Sequence, residues 1–199
     1  MRESDRSWSP ETFDRIYAAD ADPWKFTTSR YEREKYAATL AALGDRRFAA
    51  ALEIGCSIGV FTRLLARRCE TLLAVDVAEA ALADARRRCA GLPGVRIERR
   101  QVPGEWPDGA FDLIVLSEVL YFLGTADIVR TARLVAASLR PGGRALLVNW
   151  TGPTDTPCTG DAAAELFIHT AAPTLDSLPG ATGATYRLDL LTPARLDTP

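Results

Sequence analysis

The chain of 199 residues is 47% hydrophobic and carries 24 basic and 26 acidic side chains, for a formal net charge of -2. A chain of this length buries roughly two-thirds of its unfolded surface, so one core forms without disulfides or metals. The near-neutral balance gives no field for a nucleic-acid backbone or an anionic membrane, so a small-molecule partner is expected. The cysteines Cys56, Cys69, Cys89 and Cys158 make no C-x-x-C pair and no His-bearing metal spacing, and are expected as reduced thiols of a cytoplasmic protein. Residues 1–10, MRESDRSWSP, lack the apolar core of a leader. No later run reaches the roughly 18 apolar residues of a membrane span, so a soluble, unexported chain is expected.

Two helices are predicted first. In SPETFDRIYAAD, Ser9 stands at the N-cap and Pro10 at the first helical position, with Phe13, Ile16 and Tyr17 at helical spacing. SRYEREKYAATLAAL opens with Ser29 and Glu32 in capping-box register, and an Asp-Pro turn in ADADPWKFTT joins the two. Then strand-like and helix-like runs alternate. AALEIG is followed by a helix over 60–69, TLLAVD by a helix near 79–90, then come GVRIER, FDLIVLS, a helix near 126–139 and RALLVNW. That alternation predicts a doubly wound α/β fold with a parallel sheet.

Ligands of such sheets bind beyond the carboxyl ends of the strands. Gly55 ends the first predicted strand and Gly59 opens the next helix, so neither Cβ would keep a ligand from the backbone; a tight turn that simply needs glycine is the competing explanation. Glu53 lies inside the strand, where a carboxylate is costly without a partner. Asp76 ends the second strand and can accept both hydroxyls of a ribose. A pyrophosphate site would want G-x-G-x-x-G; this chain has E-x-G-x-S-x-G, which suits a ribose-bearing ligand without pyrophosphate.

The motif E-x-G-x-S-x-G with Asp76 resembles that of the class I S-adenosylmethionine-dependent methyltransferases. The segments DPWKFTTSRYEREKY, LEIGCSIGVFT, LSEVLYFL and VNWTGPTDTPCTGDAAAELF resemble the nodulation protein S family, which N-methylates an amino sugar, over about Phe13 to Leu191. The resemblance implies a mostly parallel sheet of the seven-stranded type, a helical lid over 1–44 and a cofactor-binding region over 45–199 within one compact unit. It implies S-adenosylmethionine as cofactor, with S-adenosylhomocysteine as product. Glu53, Gly55, Ser57 and Gly59 would form the floor under its methionine part, backbone groups meeting the ammonium and carboxylate. Asp76 would take the ribose, Val77 would pack on the adenine, and Gln101 would stand where relatives bind the adenine amino group. Ser117, Glu118 and Tyr121 would lie near the sulfonium and the acceptor, with Glu118 orienting the acceptor amine and helping to take up its proton. Trp24, Arg30 and Tyr31 would fold over the cofactor, Arg30 offering its fork to the methionine carboxylate.

Other features stay open at this level. Core packing competes for Tyr121 and Phe122. Asp161 either caps the helix after the fifth strand or faces the substrate, and the lone His169 sits on that helix. After the fifth strand only ATYRLDLL reads as a strand. The expected activity is N-methylation of a small-molecule amine, without metal, nucleic acid or membrane. O-methylation and a non-catalytic S-adenosylmethionine-binding protein are the alternatives.

Overall fold

The computed structural model describes residues 6–178 and 183–194; the expectations for residues 1–5 and 195–199 lie outside the described residues. In chain order the elements are α1 (Pro10–Ala19), α2 (Arg30–Ala42), β1 (Phe48–Ile54), α3 (Val60–Leu65), β2 (Cys69–Asp76), α4 (Glu79–Arg88), β3 (Val95–Arg99), β4 (Phe111–Ser117), α5 (Thr125–Ser138), β5 (Leu139–Trp150), α6 (Gly160–Ala171), β6 (Leu175–Leu178) and β7 (Tyr186–Pro193), with 3-10 turns at Ala66–Arg68 and Leu120–Phe122. The strands form one sheet in the order β3-β2-β1-β4-β5-β7-β6. Neighbours from β3 to β5 are parallel, and β7 runs antiparallel to both β5 and β6.

Side chains alternate across each strand, and both faces are covered. Leu52, Ile54, Leu73, Val75, Ile114, Leu116 and Leu147 pack with Ile128, Ala132 and Val135 of α5 and Phe167 of α6. Ala51, Leu72, Leu113, Val115, Leu146 and Val148 pack with Tyr36 of α2 and Phe61 and Leu65 of α3. The apolar runs of the sequence are therefore strands buried on two sides, and the connections change face around β1.

Several local expectations need correction. The helix predicted over 60–69 is α-helical only to Leu65 and tightens to a 3-10 turn through Arg68, because Cys69 already opens β2 and its thiol donates to the Leu65 carbonyl at 3.3 Å. The capping box is half made. The Ser29 hydroxyl accepts the Glu32 N–H at 3.3 Å, while the Glu32 carboxylate turns to Lys35. The cap of α6 is Thr159, whose hydroxyl accepts the Ala162 N–H at 3.2 Å, and Asp161 pairs with Arg187 instead. A second strand, β6, does follow β5. Only Leu175 of its four residues is buried, so it has no alternation to read in the sequence.

The two glycines have reasons inside the protein. Gly55 and Gly59 hold φ of 84° and 79°, and a Cβ would lie 2.5 Å from the Ser117 carbonyl oxygen at Gly55 and 2.9 Å from the Ala85 Cα at Gly59. Close passage of the loop over β4 and of α3 over α4 thus requires them, apart from any ligand. Gly59→Ala combines a left-handed backbone with a backbone clash, and should cost about 1–3 kcal/mol in urea unfolding. A loss below about 0.5 kcal/mol would show that α4 yields without cost.

Candidate active site

A cavity of about 920 Å³ lies over the carboxyl edge of the sheet. Its walls come from the ends of β1 (Ile54, Gly55, Ser57), β2 (Val75, Asp76, Val77) and β4 (Ser117, Glu118, Val119), from residues 100–105 after β3, and from Trp150 at the end of β5. The N-terminal helices and the segments beside them close it with Trp8, Phe13, Tyr17, Trp24, Tyr31 and Lys35, among others. The fold brings these groups together because the parallel strands all end at this edge.

Asp76 is held by the loop it faces. One carboxylate oxygen accepts the Ser57 N–H at 2.8 Å and the other the Ala78 N–H at 3.0 Å. Burial pushes its carboxyl above the usual range, against those backbone donors. A carboxylate offers about four lone-pair positions, so two remain. Within the loop, the Gly55 and Cys56 N–H groups donate to the Val75 carbonyl, Ser57 to Asp76 and Gly59 to the Cys56 carbonyl. Carbonyl oxygens of this loop suit an ammonium. The Ser57 hydroxyl shares a 2.5 Å hydrogen bond with the Tyr17 hydroxyl, which ties α1 to the loop.

Glu118 sits just past β4 with a φ of 58°, an uncommon conformation for a residue with a Cβ. One carboxylate oxygen accepts the Lys35 ammonium at 2.5 Å, and the other accepts the Tyr121 hydroxyl and the Trp150 N–H, each at 2.7 Å. Lys35 is 2% exposed and also donates to Glu32 at 3.0 Å. Tyr121 is buried, and desolvation together with the Glu118 charge holds its hydroxyl well above the ordinary value, so it stays a proton donor.

Of the residues singled out in the sequence, Gly55, Ser57, Asp76, Val77, Gln101, Ser117, Glu118, Tyr121 and Tyr31 line this cavity. Gln101 is exposed at the rim, its N–H held by Glu105 at 2.7 Å. Gly59 is buried against α4 and does not line the cavity. Arg30 is not brought to it either. Its side chain is 85% exposed and pairs with Glu34 one helical turn on, because the first turn of α2 turns Tyr31 and Glu32 inward. His169 is exposed on α6 and takes no part in the walls.

Sequence reasoning missed Lys35, Glu32 and Tyr17. A signal existed for the first: the chain has 24 basic residues and Lys25 and Lys35 are its only lysines. Lys35 lies three residues after Glu32 on a face that also carries Tyr31, an arrangement unlike a solvated charge run.

Glu53 stands apart from the main cavity. It is fully buried on the face covered by α2 and α3, beside a void of about 20 Å³ shared with Tyr36, Gly55 and Ser117. Neither carboxylate oxygen has a hydrogen-bond partner.

A family model described as Nodulation protein S (NodS) matches residues 11–151. This chain belongs to the NodS family. A nodulation protein S from Rhizobium tropici is 39% identical over 140 residues, covering 67% of this chain and 56% of the relative. One from Bradyrhizobium diazoefficiens is 34% identical over 157 residues, covering 78% and 69%. The chain thus spans a little over half to about two-thirds of the length of these curated relatives. Among solved structures, a Pseudomonas syringae protein provisionally described as a methyltransferase is 34% identical, with a TM-score of 0.71 over 81% of this chain and 98% of that one. The N-methyltransferase NodS from Bradyrhizobium japonicum, in complex with S-adenosyl-L-homocysteine, shares the fold at a TM-score of 0.78 and 23% identity, over 93% and 98%.

Burial, with the charge of Asp76 adding to it and the Thr62 hydroxyl opposing, pushes the Glu53 carboxyl from 4.5 up to about 8. The folded state therefore holds this proton where the unfolded chain has released it. The resulting stabilisation is complete below about pH 4.5 and is lost as pH rises toward 8. Urea unfolding across this range should show a decline of a few kcal/mol that Glu53→Gln flattens. An unchanged slope in the variant would place the titration elsewhere.

Proposed function

We propose that this chain is an S-adenosylmethionine-dependent methyltransferase acting on the amine of a small molecule. The reading is carried by Asp76 and Glu118 facing one cavity from the ends of β2 and β4, the strands on either side of β1, the first with two free lone-pair positions and the second with one. The donor set suits the cofactor: Asp76 would take the ribose hydroxyls, Val77 and Val102 would flank the adenine, and the loop carbonyls at Gly55 and Ser57 would meet the ammonium. Residues up to 44 act as a cap, with Trp8, Tyr17 and Tyr31 over the cavity.

When bound, S-adenosylmethionine supplies an electrophilic methyl group on a sulfonium. The chain's task is then to exclude water and aim the acceptor's lone pair, an orientation effect worth several kcal/mol. The Glu118 carboxylate already accepts three donors, which leaves one lone-pair position for an acceptor. It can accept one N–H of a neutral amine and, as an anion, stabilise the positive charge that grows on nitrogen during transfer. Tyr121 fixes the carboxylate by donating to it. The proton of the product ammonium leaves to water at the rim, where Glu105 and Asp155 are exposed.

An amino sugar or an aminated natural product is the acceptor class we favour. Support comes from the relative named an N-methyltransferase, and from a wall where Trp8, Phe13 and Phe122 group with centroids 4.9–5.7 Å apart beside Ser7 and Asp127. Aromatic faces next to polar groups fit a ring with an apolar side and hydroxyls.

Labelled methyl transfer from S-adenosylmethionine to a panel of amino sugars and small amines tests the reading; tight binding of NAD with none of S-adenosylmethionine in calorimetry would overturn it. Asp76→Ala should weaken S-adenosylhomocysteine binding by about 100-fold, since each charged hydrogen bond is worth about 1.5–3 kcal/mol. Normal affinity would leave Asp76 as a loop anchor only. Glu118→Gln should lower kcat by about 10- to 1000-fold with S-adenosylhomocysteine affinity nearly unchanged. Full turnover would remove Glu118 from the reaction, and a loss confined to affinity would move it to the cofactor.

A further inference from the structure

Three charged side chains meet in the wall of the cavity: Glu32 and Lys35 from α2 and Glu118 from the end of β4. Their side chains are 7%, 3% and 13% exposed. Lys35 is the sole cation of the group, with its ammonium 2.5 Å from Glu118 and 3.0 Å from Glu32. We propose that Lys35 is a positioning residue for methyl transfer: its ammonium, clamped between the two carboxylates, holds Glu118 ionised and turned toward the cavity. This rests on the methyl-transfer reading of the cavity, where Glu118 meets the acceptor.

The geometry explains why a buried lysine is needed at that point. Two carboxylates brought together out of water cannot both stay ionised, and one takes a proton. A cation between them removes that conflict and leaves a net single negative charge beside the cavity. The groups facing Glu118 are Lys35, Glu32, Tyr31 and Tyr36 from α2 and Tyr121 from the 3-10 turn, while β5 contributes only the Trp150 N–H. None but Lys35 carries positive charge. Burial alone would drive its proton off, yet the two adjacent carboxylates hold the Lys35 ammonium above its ordinary value, so it keeps its charge throughout the working range.

The Tyr121 hydroxyl and the Trp150 N–H both bond one Glu118 oxygen, and Lys35 takes the other. With both oxygens engaged, the carboxylate plane is fixed. Loss of Lys35 would free one oxygen and bring a proton onto the pair. The acceptor amine would then meet a neutral, rotatable group in place of an oriented anion.

The test follows the Glu118 carboxyl directly. In the cofactor-free wild-type protein, its carbon-13 resonance, assigned by its disappearance in Glu118→Gln, should show no titration between about pH 5 and 9. In Lys35→Gln, which keeps a donor and removes the charge, a Glu118 proton should appear in that window. A protonated-carboxyl infrared band at pH 7 should accompany it and weaken in Lys35→Gln combined with Glu118→Gln. S-adenosylhomocysteine affinity should change by less than about 3-fold, while kcat/KM falls by up to about 100-fold and becomes dependent on pH. Titration of Glu118 near neutrality in the wild type would overturn the proposal, even if Lys35→Gln fails to fold. So would an ionised, non-titrating Glu118 in a folded Lys35→Gln. Absence of methyl transfer in the wild type, with the carboxyl titration as expected, would instead strike the methyl-transfer reading alone.

Discussion

The site depends on how closely the loop after β1 passes over the end of β4. Gly55 can take its left-handed conformation with the Ser117 carbonyl 2.5 Å from where a Cβ would stand. That approach lets Gly55 and Cys56 reach the Val75 carbonyl and lets Ser57 reach Asp76. One small residue therefore sets the spacing among three strand ends. With a side chain there, the loop would lift and Asp76 would lose one of its two backbone donors. The same strand exit sends Glu118 into its own left-handed turn, where its carboxylate meets α2.

Burial of charge is the second organising theme. The chain places Glu53, Glu32, Glu118 and Lys35 in or beside the core, although each would rather stay hydrated. They solve the problem differently. Glu118 and Lys35 are paired and hydrogen-bonded, whereas Glu53 lacks hydrogen-bond partners and burial pushes its carboxyl up to about 8. Removing one partner of a buried pair leaves an uncompensated charge, which typically costs about 3–5 kcal/mol. α2 and the sheet are joined through this pair as well as through apolar packing.

Much of the architecture was legible because its signals are local. Strands buried on both faces write continuous apolar runs such as LLAVD and LIVLS, and the glycines and Asp76 mark where those runs end. The shift from E-x-G-x-S-x-G to a cavity followed from the general rule about carboxyl ends of parallel strands. What escaped is what depends on contacts distant in sequence. Lys35 and Glu118 are 83 residues apart, and nothing near either one announces the other. Arg30 and Tyr31 are adjacent, yet a helix turns one outward and the other inward, and the register of α2 against the sheet decides which. β6 was unreadable because three of its four residues face water.

The two edge strands bear on how copies of the molecule meet one another. β3 ends one side of the sheet as Val-Arg-Ile-Glu-Arg, with Arg96 largely exposed near Glu98. β6 ends the other side with four described residues, among them Asp176. A neighbouring chain seeking to extend the sheet at β3 finds charged side chains along the rim. Unpaired backbone donors there lie in too charged a stretch to template a growing ribbon. The charged β3 rim of the seven-stranded sheet thus discourages a further strand.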